Sequence, residues 1–433
     1  MEEALPKERF KMNDEKRHPL GNGGKQIVEP QSEREIAQVL AYANRHHQTV
    51  NIISGGTKRG FGGIMENADM LLSLAQYKGI VEHSAGDLTM TVKPGTTLKE
   101  IADDLHQHGQ RVSLDAPWPE MATIGGVIAA NDSGPKRLLY GSARDFVIGL
   151  RIVYPDGKVI RTGGKVVKNV AGYDMNKLFI GSMGTLGVIS ELTIKLRPLP
   201  KYEGLTLIHF KAGNHDIIRQ FAVRLLDSML EPVSLELLNP VLSERLTEKA
   251  LPALAIAFED RKGAVLYQEA WVKDHLPEGT ELTVLHNEEA ERWWNHFQKI
   301  APNGRDDVNN LAETKAALKI GSKNMDVFTN IKAADELAKT FRVTVEAHGG
   351  LGHGISRVYA KGFPEDIVSY IRAFRSKVEE TNGFVICTHL PFSLRRTIDV
   401  WGEKPAYFSI LEGIKQTNDP KQILNRHRFV GGL

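Results

Sequence analysis

Apolar positions along this chain repeat at two periods. Residues 31–47 place Ile36, Val39, Leu40 and Ala43 on one helical face, with Ser32 and Glu35 spaced as a capping box. The apolar run that follows, 49–53, predicts a buried strand ending at Ser54-Gly55-Gly56-Thr57. Further strands are predicted over 70–74, 89–92, 149–154 and 188–196. Tyr154-Pro155-Asp156-Gly157-Lys158 puts Pro and Gly where a hairpin turn needs them. Arg197-Pro198-Leu199-Pro200 then marks a boundary. Beyond it, strands over 205–210, 254–258, 282–285, 342–347, 356–361 and 384–388 alternate with helices over 214–230, 288–299, 324–339 and 364–381. No parallel-sheet glycine signature accompanies them. The pattern predicts an α+β unit whose helices cover one face of an antiparallel sheet. Residues 1–24 are polar and predict an arm, so the chain divides into 1–24, 25–200 and 201–433.

Composition removes several classes of function. A chain of 433 residues, 41% hydrophobic and 25% charged, is an ordinary globular protein of two or three domains. A net charge of +2 offers no electrostatic reason to bind nucleic acid or an acidic membrane. Cys387 is the sole cysteine, which excludes internal disulfides and iron–sulfur clusters held by this chain. No apolar run reaches the roughly 18 residues of a transmembrane helix. The first 20 residues are charged throughout and lack the apolar core of a signal peptide. The expected compartment is the cytoplasm, with docking at a membrane through a partner left open.

Glycine is where the candidate chemistry concentrates. Residues 51–63, NIISGGTKRGFGG, follow the predicted strand directly. Glycines let successive backbone N–H groups converge on an anion, and a hydroxyl and a cation stand beside them. The spacing is neither a Walker loop nor a Rossmann fingerprint. A phosphate cradle and a glycine-rich surface turn are both compatible with it. Residues 122–135, ATIGGVIAANDSGP, form a second cluster, small enough to lie against a ring or a ribityl chain, or to pack a tight helix. The third, 163–198, holds Gly163, Gly164, Gly172, Gly181, Gly184 and Gly187 before a β-rich tail. Three clusters in one half of the chain point to a bound nucleotide cofactor.

In order and separation, the three clusters resemble the FAD-binding domain of the vanillyl-alcohol oxidase or PCMH type, from about Ile27 to about Pro198. The segment VVKNVAGYDMNKLFIGSMGTLGVISELTIKL is most similar to the 2-hydroxy-acid dehydrogenase branch, and especially to FAD-binding subunits of glycolate oxidases. The resemblance implies a two-subdomain FAD-binding domain over 25–200 and an α+β cap over 201–433, whose last segment returns to the flavin domain. It assigns the pyrophosphate to Ser54, Gly55, Gly56, Thr57 and Lys58, and the ribityl chain and isoalloxazine to Pro117, Thr123, Gly125 and Gly126. Ser133, Gly134, Gly141 and Asp145 would shape the middle of the site, and Gly187, Val188 and Ile189 its far end. Asn425 matches the family's closing segment, in which Arg426 and His427 replace the usual Pro-Gly. Covalently flavinylated members carry a histidine at or beside Thr57, Lys58 and Arg59, so FAD is expected to bind non-covalently here. Met183 replaces the family's usual acidic residue in the GSxGTLG element.

Oxidising a 2-hydroxy acid needs a base, a cationic clamp for the carboxylate and the flavin as hydride acceptor. Catalytic members of the branch hold a divalent metal with paired histidines and a glutamate. His348 and His353 are spaced differently and no Glu-His pair follows, so no metal is expected and the two read as a turn between strands. His389 is the candidate base and Arg395 the candidate clamp; Arg396, Arg426 and Arg428 are further cations. The resemblance therefore implies an FAD-carrying subunit acting on a small 2-hydroxy acid such as glycolate. Its activity is expected to depend on a larger flavoprotein and an iron–sulfur subunit. The alternative is a self-sufficient FAD-dependent oxidoreductase acting on a 2-hydroxy acid or a sugar-derived alcohol.

Overall fold

The computed structural model describes residues 6–13, 18–164, 173–211, 215–305 and 313–433. Two small sheets form from the first half of the chain. One orders Phe10–Met12, Gly23–Val28, Asn67–Ser73 and Val50–Ile53, the last three parallel. Helix Glu33–Arg45 covers it, burying its predicted apolar stripe against Val28, Val50, Met70 and Leu72. Ser32 accepts from the Glu35 N–H at 3.1 Å, but Glu35 returns its carboxylate to the Gln31 N–H at 2.6 Å. The predicted capping box therefore closes on only one side. A reciprocal box forms instead at Thr97 and Glu100, ahead of helix Leu98–His106.

The second sheet is antiparallel, in the order Ile80–Ser84, Thr89–Val92, Val188–Lys195, Val147–Val153 and Val159–Gly163. The predicted turn joins its last two strands, with the Tyr154 N–H donating to the Lys158 carbonyl at 2.8 Å. Helix Leu98–His106 and the short helix Ile124–Ala130 pack on this sheet. The chain's end lies along the edge of the first sheet. The Val50 N–H donates to the Ile423 carbonyl at 2.7 Å, and the Asn425 N–H to the Val50 carbonyl at 2.9 Å.

The second half builds one eight-stranded antiparallel sheet. Its order is Thr280–His286, Tyr202–Phe210, Ala253–Asp260, Ser234–Leu238, Thr344–Gly350, Ile355–Gly362, Thr314–Gly321 and Phe384–His389. Helices His215–Leu226, Lys262–Asp274, Asp326–Thr340 and Pro364–Glu379 bury their apolar stripes on one face, but the helix predicted over 288–299, Glu288–Phe297, packs Trp293, Trp294 and Phe297 on the other. Ser234–Leu238 and Thr314–Gly321 were not among the predicted strands. The first is only five residues long, and the second spends Ala316 and Ala317 where β-branched residues would give a clearer signal.

Side chains along these strands alternate between faces. Leu235, Leu237, Leu318, Ile320, Val345, Ala347, Val358 and Ala360 lie under the helices. Glu236, Lys319, His348, Arg357 and Tyr359 occupy the intervening positions, on the face turned toward the first half of the chain.

Candidate functional site

A cleft of about 890 Å³ lies between the two small sheets. One wall is the loop that leaves strand Val50–Ile53, and another is the start of helix Ile124–Ala130. Gly184, Gly187, Val188 and Ile189 form the floor, and Asn425 and Arg428 close the end. Gly55 approaches its neighbour so closely that a Cβ there would sit 2.0 Å from the Met121 carbonyl oxygen. Gly56 has φ of +76°, a conformation that costs other residues energy. Among the described residues nothing accepts from the backbone amides of Gly55, Gly56, Thr57 or Lys58. The hydroxyls of Ser54 and Thr123 are buried without a hydrogen-bond partner. Free amides, unsatisfied hydroxyls and the buried Arg428 guanidinium are groups that could hold a diphosphate and a polyol chain.

The closing segment is held by specific bonds. Asn425 accepts from the Ile52 N–H at 2.8 Å and donates to the Met183 carbonyl at 2.6 Å. Arg428 donates to the carbonyls of Phe61, Ile52 and Lys58 at 3.3, 3.4 and 3.3 Å. Burial, and then the Arg59 cation, pull its pKa down to about 10.

Ser54, Gly55, Gly56, Thr57, Lys58, Thr123, Gly125, Gly126, Gly187, Val188, Ile189 and Asn425 all line this cleft. Pro117 lines an adjoining chamber instead. Ser133, Gly134, Gly141 and Asp145 line neither, which corrects their assignment to the middle of the site. The Gly134 N–H donates to Asp115 at 2.7 Å, and Ser133 accepts from Arg137 at 3.0 Å. Asp145 accepts from the Ser142 N–H at 2.7 Å, and Gly141 packs on that carboxylate. These four shape the wall rather than its surface. Most of the KNVAGYD motif, residues 168–172, lies outside the described residues.

The adjoining chamber, about 1090 Å³, shares Thr57, Lys58 and Ala130 with the cleft. The eight-stranded sheet supplies Ala317, Lys319, Arg357, Tyr359, Ile386, Thr388 and His389 to its wall. Register puts Lys319 beside Arg357 and Ala317 beside Tyr359. Opposite them stands Asp132, paired with Lys58 and, at 2.5 Å, with Arg357. Lys58 thus points into the chamber, not along the expected pyrophosphate loop. Burial would raise the Asp132 carboxyl, but Lys58 and Arg357 overcome it and hold the group ionised. Burial, and then Arg357, lower the Lys319 ammonium to about 8. Three cations against one carboxylate leave this wall with room for an anion.

Two catalytic assignments change. Arg395 lines neither cavity: it is buried and donates to the carbonyls of Gly62 and Leu20, so it fastens two loops and clamps no substrate. His389 does line the chamber, but burial and then the Arg395 charge lower its pKa to about 3. It is neutral and a weak base, because a proton there would add a cation among cations. His348 is not in a turn either. It sits in strand Thr344–Gly350, with Nδ1 2.7 Å from buried Glu236. Away from both cavities, the ligand atoms of His83, Asp104 and His108 lie within 4.8 Å of one another.

Sequence reading missed Asp132, Glu236, Lys319, Arg357 and Tyr359. Arg357 and Tyr359 alternate within a predicted strand between buried apolar neighbours, a signal that this strand carries function on one face.

Residues 24–163 match the family model described as an FAD binding domain. The chain is 33% identical over 213 residues to glycolate oxidase subunit GlcD of Bacillus subtilis, covering 49% of this chain and 45% of that protein. It is 39% identical over 155 residues to glycolate oxidase subunit GlcE of Escherichia coli, covering 36% and 44%. The chain thus matches somewhat under half the length of each of these relatives. The solved structure of p-cresol methylhydroxylase with substrate bound shares the fold, with a TM-score of 0.76 at 14% identity, covering 99% of this chain and 95% of that one. Among the described residues no helix is long and apolar enough to cross a membrane. Residues 24–163 carry an FAD-binding domain of the PCMH type.

Proposed function

We propose that this FAD-dependent oxidoreductase binds FAD non-covalently in the cleft and oxidises a small 2-hydroxy acid, of the size of glycolate, in the adjoining chamber. The observation that carries the reading is the excess of cations around Asp132. Lys319 and Arg357 offer a carboxylate the charge-assisted contacts that the sequence reading had sought in Arg395. A neutral sugar-derived alcohol would leave those cations uncompensated, so the acid is favoured. The amides of Gly55 to Lys58, the hydroxyls of Ser54 and Thr123 and the Arg428 guanidinium would hold the cofactor. When bound, the flavin takes up the hydride released from the hydroxyl-bearing carbon.

The described residues lining the cleft include no histidine or cysteine, and Cys387 lies under the cap helices. Acid precipitation of the purified chain is expected to release the yellow chromophore into the supernatant. Flavin retained in the pellet would establish a covalent bond instead.

The likeness to glycolate oxidase subunits supports an assembly in which a larger flavoprotein and an iron–sulfur subunit take the electrons onward. On this reading, substrate oxidation belongs to this chain and sustained turnover to the assembly. The test is anaerobic mixing of the FAD-loaded chain with excess glycolate or D-lactate. Flavin absorbance is expected to bleach once, with continued turnover appearing only when partner subunits are added. A flavin that neither acid bleaches would refute the reading.

A further inference from the structure

Behind the chamber wall lies a line of three side chains that neither cofactor binding nor carboxylate capture uses. Glu236, His348 and Tyr359 stand on three adjacent strands and on the same face of the sheet. Glu236 is 1% exposed and His348 4%. The Glu236 Oε2 lies 2.7 Å from His348 Nδ1, and Oε1 lies 3.4 Å from His353 Nε2; burial would raise the carboxyl, but the two histidines together hold it below the usual carboxylate range. An ionised carboxylate only accepts, so the imidazole proton sits on Nδ1 and Nε2 is left as an acceptor. Tyr359 Oη faces that Nε2 at 3.5 Å. The contact is long, as such contacts often are before substrate tightens them. Tyr359 also walls the chamber beside Arg357. The Phe297 ring meets His348 edge-on at 4.8 Å between centroids and restrains its plane. Burying an ionised carboxylate costs stability, so stability alone gives no reason to place it here.

We propose that Tyr359, backed by His348 and Glu236, is the group that deprotonates the substrate hydroxyl; this rests on the 2-hydroxy-acid reading above. The hydroxyl proton passes to Tyr359 Oη while the Tyr359 proton passes to His348 Nε2. With FAD bound, the C–H electron pair would leave as hydride to the flavin as the carbon–oxygen double bond forms, oxidising the alcohol and reducing the FAD. The proton ends on His348, opposite the ionised Glu236. That compensation is what His389 lacks, since its charged neighbours are Arg395, Lys315 and Lys58. Tyr359 is the catalytic residue of the relay, and His348 and Glu236 position it.

The experiment uses the FAD-loaded chain and its Tyr359→Phe, His348→Gln and Glu236→Gln variants. Anaerobic flavin reduction by glycolate and D-lactate is followed, with oxalate as a non-oxidisable probe of the carboxylate seat. Tyr359→Phe and His348→Gln are expected to slow reduction by roughly a hundredfold or more. FAD content and oxalate affinity are expected to hold. Nitrogen NMR of the imidazoles should find His348 protonated on Nδ1, a state that Glu236→Gln disturbs. Wild-type reduction rates in Tyr359→Phe, or a proton on His348 Nε2, would overturn the relay while leaving the function intact. Failure of oxalate to perturb the flavin, together with failure of both acids to reduce it, would overturn the function and the relay with it.

Discussion

Gly56→Asp is expected to yield a folded chain that purifies without flavin. Gly56 lines the cleft at φ +76°, and a Cβ there would lie 3.3 Å from the Arg305 Cγ. Side chains can enter this left-handed region at a cost of about 1–2 kcal/mol, which a chain of this size tolerates. The added carboxylate would face the diphosphate across amides that otherwise receive it. Opposed like charges cost several kcal/mol, and each tenfold of affinity is about 1.4 kcal/mol, so FAD affinity should fall roughly a hundredfold or more. Gly56→Ala separates strain from charge and is expected to keep most of the flavin. The measurement is flavin absorbance per protein after gel filtration, with near-ultraviolet circular dichroism to confirm folding. Stoichiometric FAD in the Asp variant would reduce the first glycine cluster to a surface turn.

The second large effect concerns Lys319. Its ammonium stands in the chamber wall beside Arg357, and its shift arises from burial and neighbouring charges. Removing it as Lys319→Met should weaken oxalate binding by about 1.5–3 kcal/mol, or roughly tenfold to a hundredfold, the worth of a hydrogen bond to a charged group. The pH profile carries the sharper signature. Below about 8 the free protein holds Lys319 charged, and as pH rises through 8 that charge is lost and anion affinity falls. Lys319→Met should be flat over that range, and Lys319→Arg should stay tight through it. Stability moves the other way. Between the folded value of about 8 and the unfolded 10.5, the unfolded chain binds the extra proton, so the penalty this buried ammonium places on folding is relieved as pH rises. Oxalate titrations and thermal melts across the same pH series check both trends. Unchanged affinity in the Met variant would move the anion seat elsewhere.

Much of the cofactor cleft was legible because its requirements are local. A backbone that must turn through positive φ, or touch another backbone, demands glycine whatever surrounds it. Gly56 and Gly55 meet those demands in turn, and a Cβ on Gly125 would come within 2.4 Å of Pro94. The same locality made the helical stripe of Ile36, Val39, Leu40 and Ala43 readable. Ser133 and Gly134 lay in the second glycine-rich stretch and Gly141 and Asp145 just beyond it, yet they serve turns and caps rather than the cleft. Proximity in sequence could not separate the two uses.

The chamber was not legible, because its charges meet only through strand register. Asp132 and Arg357 are 225 positions apart, and Glu236 and His348 are 112 apart. Composition cannot tell a buried cation that faces an open chamber from one that faces two carbonyls. Lys319 is the first kind and Arg395 the second, and only the packing of the cap sheet against the flavin domain distinguishes them. The sequence by itself therefore determined which backbone positions build the cleft, since glycine is a backbone requirement written at the position itself. The tertiary structure decided which side chains face the chamber, since an ionisable group takes its surroundings from the charges and cavities that distant strands bring to it.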